Sequence, residues 1–102
     1  ELNQVWTNLV QNAIQAMDYK GTLTINVFAE NDFIVAKFTD TGKGIPEELK
    51  ERIFEPFFTT KPQGEGTGLG LQIVKKIISR HHGYISVDSV PGMTTFNVKL
   101  PI

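Results

Sequence analysis

Two asparagines four residues apart, Asn8 and Asn12, are the first side chains in this sequence that could do chemistry. In a helix, residues at this spacing project from one face. An amide oxygen can bind a hard cation such as Mg²⁺, which takes few protein ligands and is otherwise held by water and substrate phosphates. For two asparagines alone, a solvated polar face is the simpler interpretation.

A carboxylate followed by glycines forms a second candidate site, DTGKG at residues 40–44. The segment follows a strand pattern, which places Asp40 at the end of a sheet. Gly42 and Gly44 would let the backbone approach a flat ligand closely, because they carry no Cβ. The same composition is common in ordinary turns, so the motif alone leaves both interpretations open.

Four glycines fall on every second residue from 64 to 70 and lead into a helix pattern that begins near Leu69. Backbone amides at a helix N-terminus bind phosphate oxygens, and glycine spacing exposes those amides. The spacing matches neither the P-loop nor the dinucleotide fingerprint. A flexible linker is the alternative, but linkers rarely lead directly into a strongly amphipathic helix, so the pattern favours phosphate binding.

Aromatic residues precede this run, and the stretch 59–68 is predicted to form a flexible lid. Among Phe54, Phe57 and Phe58, we assign Phe54 and at least one other to the core, because clustered aromatic residues are usually buried. The side chains of Thr60 and Lys61 remain available to phosphate.

Helix and strand patterns must position these groups. Apolar spacing predicts helices over residues 2–17 and 69–82, a short helix from residue 46 to near residue 54, and strands over residues 22–28, 33–39, 84–89 and 94–100. This order describes an α+β fold, a two-layer α/β sandwich with helices over one face of a mixed, mainly antiparallel sheet.

Two histidines, His81 and His82, end the last predicted helix beside Gly83, which we interpret as its stop signal. A partial positive charge there suits the helix dipole. We therefore interpret the pair as structural caps and not as phosphate acceptors.

The composition excludes several classes of protein. A chain of 102 residues fits one domain, and a formal charge of −1 provides no field for nucleic acid. Cysteine is absent, which excludes disulfides and zinc-thiolate sites. No apolar run approaches a membrane span. Because the sequence opens in a helix pattern without a start methionine, we expect it to be a fragment of a larger protein.

Four segments together resemble the N box, first glycine box, F box and second glycine box of sensor histidine kinases. They are NLVQNA at 8–13, DTGKGIP at 40–46, FEPFFTTK at 54–61 and GTGLGL at 66–71. The resemblance implies a single ATP-binding catalytic domain over residues 1–102 with the Bergerat fold, which DNA gyrase, the MutL mismatch-repair ATPases and the heat-shock chaperone ATPases share. Members of the family usually begin with a strand before the first helix, and we expect this edge of the sheet to be missing or to have been removed here.

The resemblance also implies roles for individual residues. Asn12 would be the Mg²⁺ ligand, Asn8 would support phosphate or metal, and Asp40 would accept a hydrogen bond from the adenine amino group. The expected contacts to the rest of the nucleotide are Gly42, Gly44 and Ile45 at adenine; Gly66, Thr67, Gly68, Leu69, Gly70 and Leu71 at the phosphates; and Thr60 and Lys61 at the γ-phosphate.

Family members place a threonine of the last strand beside adenine, and here two are adjacent. The turn before this strand is one residue shorter than usual. Strand alternation puts Thr94 on the same face as Phe96 and Val98, towards the helices, so we choose Thr94 over Thr95.

The implied function is to bind Mg-ATP and donate its γ-phosphate to a histidine on a separate dimerisation domain, in two-component signal transduction. A response regulator would be an indirect partner. The chain would be a monomeric, cytoplasmic domain without nucleic-acid or membrane contact, unable to autophosphorylate alone.

Two alternatives stay open. Hydrolases and serine kinases of this fold place a glutamate general base four residues before the metal asparagine, where this chain has Asn8. A regulatory module that binds nucleotide without transferring phosphate is the other.

Overall fold

The computed structural model describes residues 2–50, 52–55 and 70–102. Its elements are helix α1 (Leu2–Ala16), strands β1 (Leu23–Glu30) and β2 (Phe33–Asp40), a 3-10 turn (Glu47–Leu49), helix α2 (Gly70–Arg80), and strands β3 (Tyr84–Val90) and β4 (Met93–Pro101). The sequence predicted the bounds of both helices and all four strands to within two residues. The short helix predicted from residue 46 is instead a single 3-10 turn followed by irregular turns.

The four strands form one sheet in the order β1-β2-β4-β3, and every pairing among them is antiparallel. Both helices lie over one face of this sheet, as the two-layer prediction requires. The core between the layers consists of Val5, Leu9, Ala36, Phe38, Val74, Ile77, Ile78, Phe96 and Val98. No helix in the described ranges is long and apolar enough to cross a membrane.

Helix α1 is fixed to the sheet by its apolar stripe and by one aromatic pair. The buried residues Val5, Leu9 and Ala13 recur every four positions, so they lie on a single face of the helix. Beside them, the ring of Trp6 stacks on that of Phe38 in β2, with centroids 5.8 Å apart. The helix therefore runs across β2 in a fixed orientation.

Alternation along the two central strands decides which polar groups enter the interior. In β2, Phe38 and Asp40 are buried while Thr39 between them is only partly so; in β4, Thr94 and Phe96 are buried around Thr95. The register pairs Asp40 with Thr94. One carboxylate and one hydroxyl thus lie side by side at one end of the sheet, on the face that the helices cover.

The sequence predicts glycine stop signals at Gly21 after the first helix and at Gly83 after the second, but both helices end without glycine in the left-handed position. After α1, Asp18 has a φ of 57°; after α2, His82 has a φ of 61°. In each case two backbone bonds close the turn: at α2 the Gly83 N–H donates to the Ile78 carbonyl and the His82 N–H to the Ser79 carbonyl. This pairing is the Schellman motif.

Gly83 is needed for a different reason. A Cβ at this position would collide with the backbone carbonyl oxygen of Lys99, because the chain turns into β3 directly against β4. The predicted capping role is confirmed for His81, whose Nδ1 lies 2.9 Å from the Ile77 carbonyl oxygen. An N–H at Nδ1 donates to this carbonyl of the last turn, which also accepts the backbone N–H of His81 at 3.2 Å.

Replacing His82 by glycine should stabilise the chain. A residue with a Cβ pays a conformational penalty in the left-handed region that glycine avoids, so we expect the free energy of unfolding to rise by about 0.5–1 kcal/mol. Urea denaturation followed by circular dichroism would measure it. Ser79→Gly, inside α2 and exposed, is the matched control and should lower stability by a similar amount. A loss of stability in His82→Gly would contradict the assignment of the cap.

Candidate functional site

The carboxylate of Asp40 is the most deeply buried ionisable group in the described part of the chain, with 1% of its surface exposed. It stands at the last position of β2 and faces the helix layer. The backbone N–H of Gly42 donates to its Oδ1 at 2.8 Å. Burial raises the pKa of Asp40 above its ordinary value, and the hydrogen bond from Gly42 acts in the opposite direction.

Gly42 is held between Asp40 and the end of α1. A Cβ at this position would lie 2.6 Å from the backbone carbonyl oxygen of Ala16 and 2.9 Å from the Oδ1 of Asp40. Neither group can move far, since one is helix backbone and the other is buried. The loop after β2 can therefore fold over the carboxylate only with glycine at position 42.

Gly44 makes the second close approach of this loop. Its φ is +86°, and a Cβ there would lie 2.6 Å from the carbonyl oxygen of Val90. Both the backbone angle and the space require glycine. The loop consequently lies against the β3–β4 hairpin on one side and against α1 on the other.

A short chain of hydrogen bonds joins this loop to the sheet. The N–H of Ile45 donates to the Oγ of Ser89 at 2.7 Å, and that oxygen lies 2.9 Å from the Oγ1 of Thr94. Thr94 is 3% exposed and pairs with Asp40 in the sheet. Thr95, by contrast, points to the other face and shares a hydrogen bond with Thr39.

A second group of polar atoms lies where α1 meets the beginning of α2. The Nδ2 of Asn8 donates to the carbonyl oxygen of Gly70 at 3.4 Å, a long bond between partly buried groups. Leu71 is half-buried and packs against the core, which fixes the first turn of α2. A Cβ at Gly70 would meet no atom of the described residues, so packing among them does not require this glycine.

Asn12 lies between the two groups along α1. It is one turn after Asn8, which contacts Gly70, and one turn before Ala16, whose carbonyl contacts Gly42. At a rise of 1.5 Å per residue, each step is about 6 Å. Its side chain is half-buried and already has an interaction within the protein.

A divalent cation at this place would find few protein ligands. Among residues 2–50, 52–55 and 70–102, no three acidic or histidine side chains come together. A cation held by Asn12 together with oxygen atoms of a bound phosphate would match the way Mg²⁺ binds with substrate phosphates, through one or two protein oxygens and water.

The predicted site residues thus fall into two described groups. Asp40, Gly42, Gly44, Ile45 and Thr94 surround the end of β2, whereas Asn8, Asn12, Gly70 and Leu71 lie along α1 and the start of α2. Thr60, Lys61, Gly66, Thr67, Gly68, Leu69 and the predicted lid lie outside the described residues. So do Phe57 and Phe58, while Phe54 packs against the core as predicted.

Ser89 belongs to the site and was missed in the sequence. It connects Ile45 with Thr94, yet no motif includes it. Alternation along β3 carried a usable signal, because Ser89 shares a face with Ile85 and Val87, which pack against the core. The contact of Gly42 with a helix carbonyl had no comparable signal, since it depends on the position of the whole helix.

Known proteins resemble this chain over its full length. The family model described as histidine kinase-, DNA gyrase B-, and HSP90-like ATPase matches residues 1–102. A sensory histidine kinase/phosphatase, NtrB of Rhodobacter capsulatus, is 38% identical over 100% of this chain and 32% of its own length. The curated relatives are much longer, and the chain spans about a third of their length or less.

Solved structures agree with the fold. The nucleotide-free catalytic domain of the histidine kinase ThkA has a TM-score of 0.87 and 44% identity over 98% of this chain and 65% of its own. Full-length ShkA in complex with AMPPNP also has a TM-score of 0.87, with 28% identity over 98% of this chain and 21% of its own.

Replacing Asp40 by asparagine should change how stability depends on pH. The raised pKa means that the folded chain binds the proton of Asp40 more tightly than the unfolded chain does. The carboxylate therefore destabilises the fold increasingly as pH rises from about 3.9, the ordinary value, through the raised pKa. Asparagine keeps the acceptor for Gly42 but carries no charge.

We expect the difference in the free energy of unfolding between the Asp40→Asn variant and the parent to be more positive at pH 7 than at pH 4. Urea denaturation at both pH values measures it. The control is Asp32→Asn, which removes one negative charge from an exposed turn. An Asp40→Asn effect that is the same at both pH values, after subtraction of this control, would contradict the shift.

Proposed function

The chain belongs to the histidine kinase-, DNA gyrase B-, and HSP90-like ATPase family, and from this we propose that it is the ATP-binding catalytic domain of a sensor histidine kinase. It binds Mg-ATP and donates the γ-phosphate to a histidine on a separate phosphoacceptor domain of the same kinase. The observation that carries the proposal is the buried carboxylate of Asp40 beside Thr94, below a loop that only glycine permits.

The group around Asp40 suits the adenine base. A buried carboxylate oxygen accepts a hydrogen bond from the exocyclic amine, and the loop of Gly42 and Gly44 exposes backbone to the flat ring. Guanine carries a carbonyl oxygen where adenine carries the amine, and an acceptor facing an acceptor leaves both without a partner. Such a buried loss costs about 1–3 kcal/mol, or roughly tenfold in affinity, so ATP is preferred to GTP.

The group along α1 and α2 suits the phosphates. The N–H groups of the first turn of α2 have no partner within the helix and carry its positive dipole. Asn12, about 6 Å from either end of the site, supplies an amide oxygen where Mg²⁺ accompanies the phosphates. The metal, when bound, neutralises charge on the phosphate oxygens. Thr60, Lys61 and the glycine-rich residues 66–69 are proposed as further phosphate contacts.

The Asn8 contact supports histidine as the acceptor over water or serine. The Nδ2 of Asn8 donates to the carbonyl of Gly70, so this side chain acts as a hydrogen-bond donor. A carboxamide is not a base and does not activate water or a hydroxyl. The imidazole of histidine is already nucleophilic near neutral pH, and its phosphorylation needs positioning and charge neutralisation, which this site supplies.

The acceptor histidine is proposed to come from another domain. His81 and His82 directly follow α2, and the Nδ1 of His81 is engaged with the Ile77 carbonyl. The domain is proposed to act as a cytoplasmic monomer within the longer kinase, with a response regulator as the final recipient of the phosphate.

Transfer of label tests the proposal directly. The chain is incubated with Mg-ATP labelled on the γ-phosphate, alone and with the separately produced phosphoacceptor domain of a sensor kinase. We expect no label on the chain alone and acid-labile label on the histidine of the added domain. Rapid release of inorganic phosphate without transfer would indicate a hydrolase, and tight binding without either reaction would indicate a regulatory module.

Replacement of Asn12 by alanine tests the metal site. We expect the Kd for ATP in the presence of Mg²⁺ to rise roughly tenfold or more, since even indirect partners of a metal site have effects of this size. With EDTA, the variant and the parent should bind ATP equally. Isothermal titration calorimetry measures both values, and Gln11→Ala, the exposed neighbour on α1, is the control. Equal Mg²⁺ dependence in all three proteins would remove Asn12 from this role.

A further inference from the structure

Ser89 joins three parts of the base-binding group through one hydroxyl. Its oxygen accepts the N–H of Ile45 at 2.7 Å and lies 2.9 Å from the Oγ1 of Thr94, its direct partner across the β3–β4 hairpin. All three residues are buried or partly buried. Two consecutive hydrogen bonds thus connect the loop after β2 with Thr94, the sheet residue beside Asp40.

The bond from Ile45 depends on the close approach of the loop. Gly44 brings the chain to the end of the hairpin, where a Cβ would lie 3.2 Å from the Oγ of Ser89 and 2.6 Å from the carbonyl of Val90. The next N–H along the chain is that of Ile45, and Ser89 is its acceptor. Gly42 and Gly44 therefore position the loop, and the hydroxyl of Ser89 holds it there.

The hydrogen bond from Ile45 also influences which hydroxyl is the donor in the bond between Ser89 and Thr94. A hydroxyl that accepts a hydrogen bond becomes a stronger donor, because bonds in a chain polarise one another. The proton of Ser89 is therefore best placed in its bond to Thr94, whose oxygen then acts as the acceptor. This leaves the proton of Thr94 free to point away from Ser89.

We propose that Ser89 is a specificity-determining positioning residue: it orients the Thr94 hydroxyl as a donor beside the Asp40 acceptor. The inference rests on the proposed function. An acceptor and a donor side by side complement the amine of adenine and a neighbouring ring nitrogen, which is an acceptor. Guanine presents a carbonyl oxygen in place of the amine, so the same pair rejects it. Ser89 itself does not touch the base.

The test uses ATP analogues in which one ring nitrogen is replaced by C–H, namely 1-deaza-ATP and 7-deaza-ATP, with binding measured by calorimetry. In the parent chain, one of the two should bind roughly fivefold more weakly than ATP, the value of one neutral hydrogen bond. In Ser89→Ala this difference should largely disappear, and in Ser89→Thr, which keeps the hydroxyl, it should return. Ser86→Ala, exposed on the same strand, should behave as the parent.

Amide hydrogen exchange without nucleotide gives an independent readout. In Ser89→Ala the N–H of Ile45 should exchange faster, whereas that of Gly42 keeps its bond to Asp40 and should be unchanged. In Thr94→Val the discrimination should be lost while the N–H of Ile45 stays protected. This pair of variants separates the orientation of Thr94 from the anchoring of the loop.

The outcomes are distinct from those of the proposed function. A parent chain that does not bind Mg-ATP overturns the proposed function and this inference with it. A parent that binds ATP but does not distinguish either deaza analogue overturns the inference alone. So does a Ser89→Ala variant that binds ATP and discriminates as the parent does.

Discussion

The site depends on a carboxylate that is kept out of water at the end of β2. An aspartate in this position costs free energy unless a partner stabilises its charge, and among the described residues the backbone N–H of Gly42 donates to its Oδ1. The bond closes only because position 42 has no Cβ between Asp40 and the carbonyl of Ala16. The position of α1, the course of the loop and the state of the carboxylate are therefore fixed together.

This constraint divides the candidate site into two groups, one around the end of β2 and one along α1 and the start of α2, which we propose bind the base and the phosphates. Around the end of β2, the strands β2 and β4, the loop and the β3–β4 hairpin are held together by buried and partly buried hydrogen bonds. Helix α1 contacts both groups, because its residue Ala16 lies against Gly42 and, two turns earlier, Asn8 donates to the carbonyl of Gly70.

Periodicity was enough to predict the helices, the strands and the orientation of Thr94, because burial acts on each residue of an element in turn. It was not enough for contacts that depend on the packing of separate elements. Asp18 and His82 occupy left-handed positions where the sequence suggested Gly21 and Gly83, since the turn geometry follows from the backbone bonds of each helix end. The sequence did not predict the role of Ser89, because a serine in a strand accepts such a hydrogen bond only when a loop distant in sequence packs against it.

The same limit applies to Asn8, for which the motif indicated contact with phosphate or metal but not the contact with α2. The carbonyl oxygen of Gly70 has two lone pairs and can accept from Asn8 as well as from its own helix. This bond connects the start of α2 to α1. Under the proposed function, a glutamate at position 8 would lose the donor and place a negative charge beside the phosphates. In the proposed kinase, the asparagine that stands in place of a general base would thus also hold the helix that binds phosphate, so both properties would follow from a single amide.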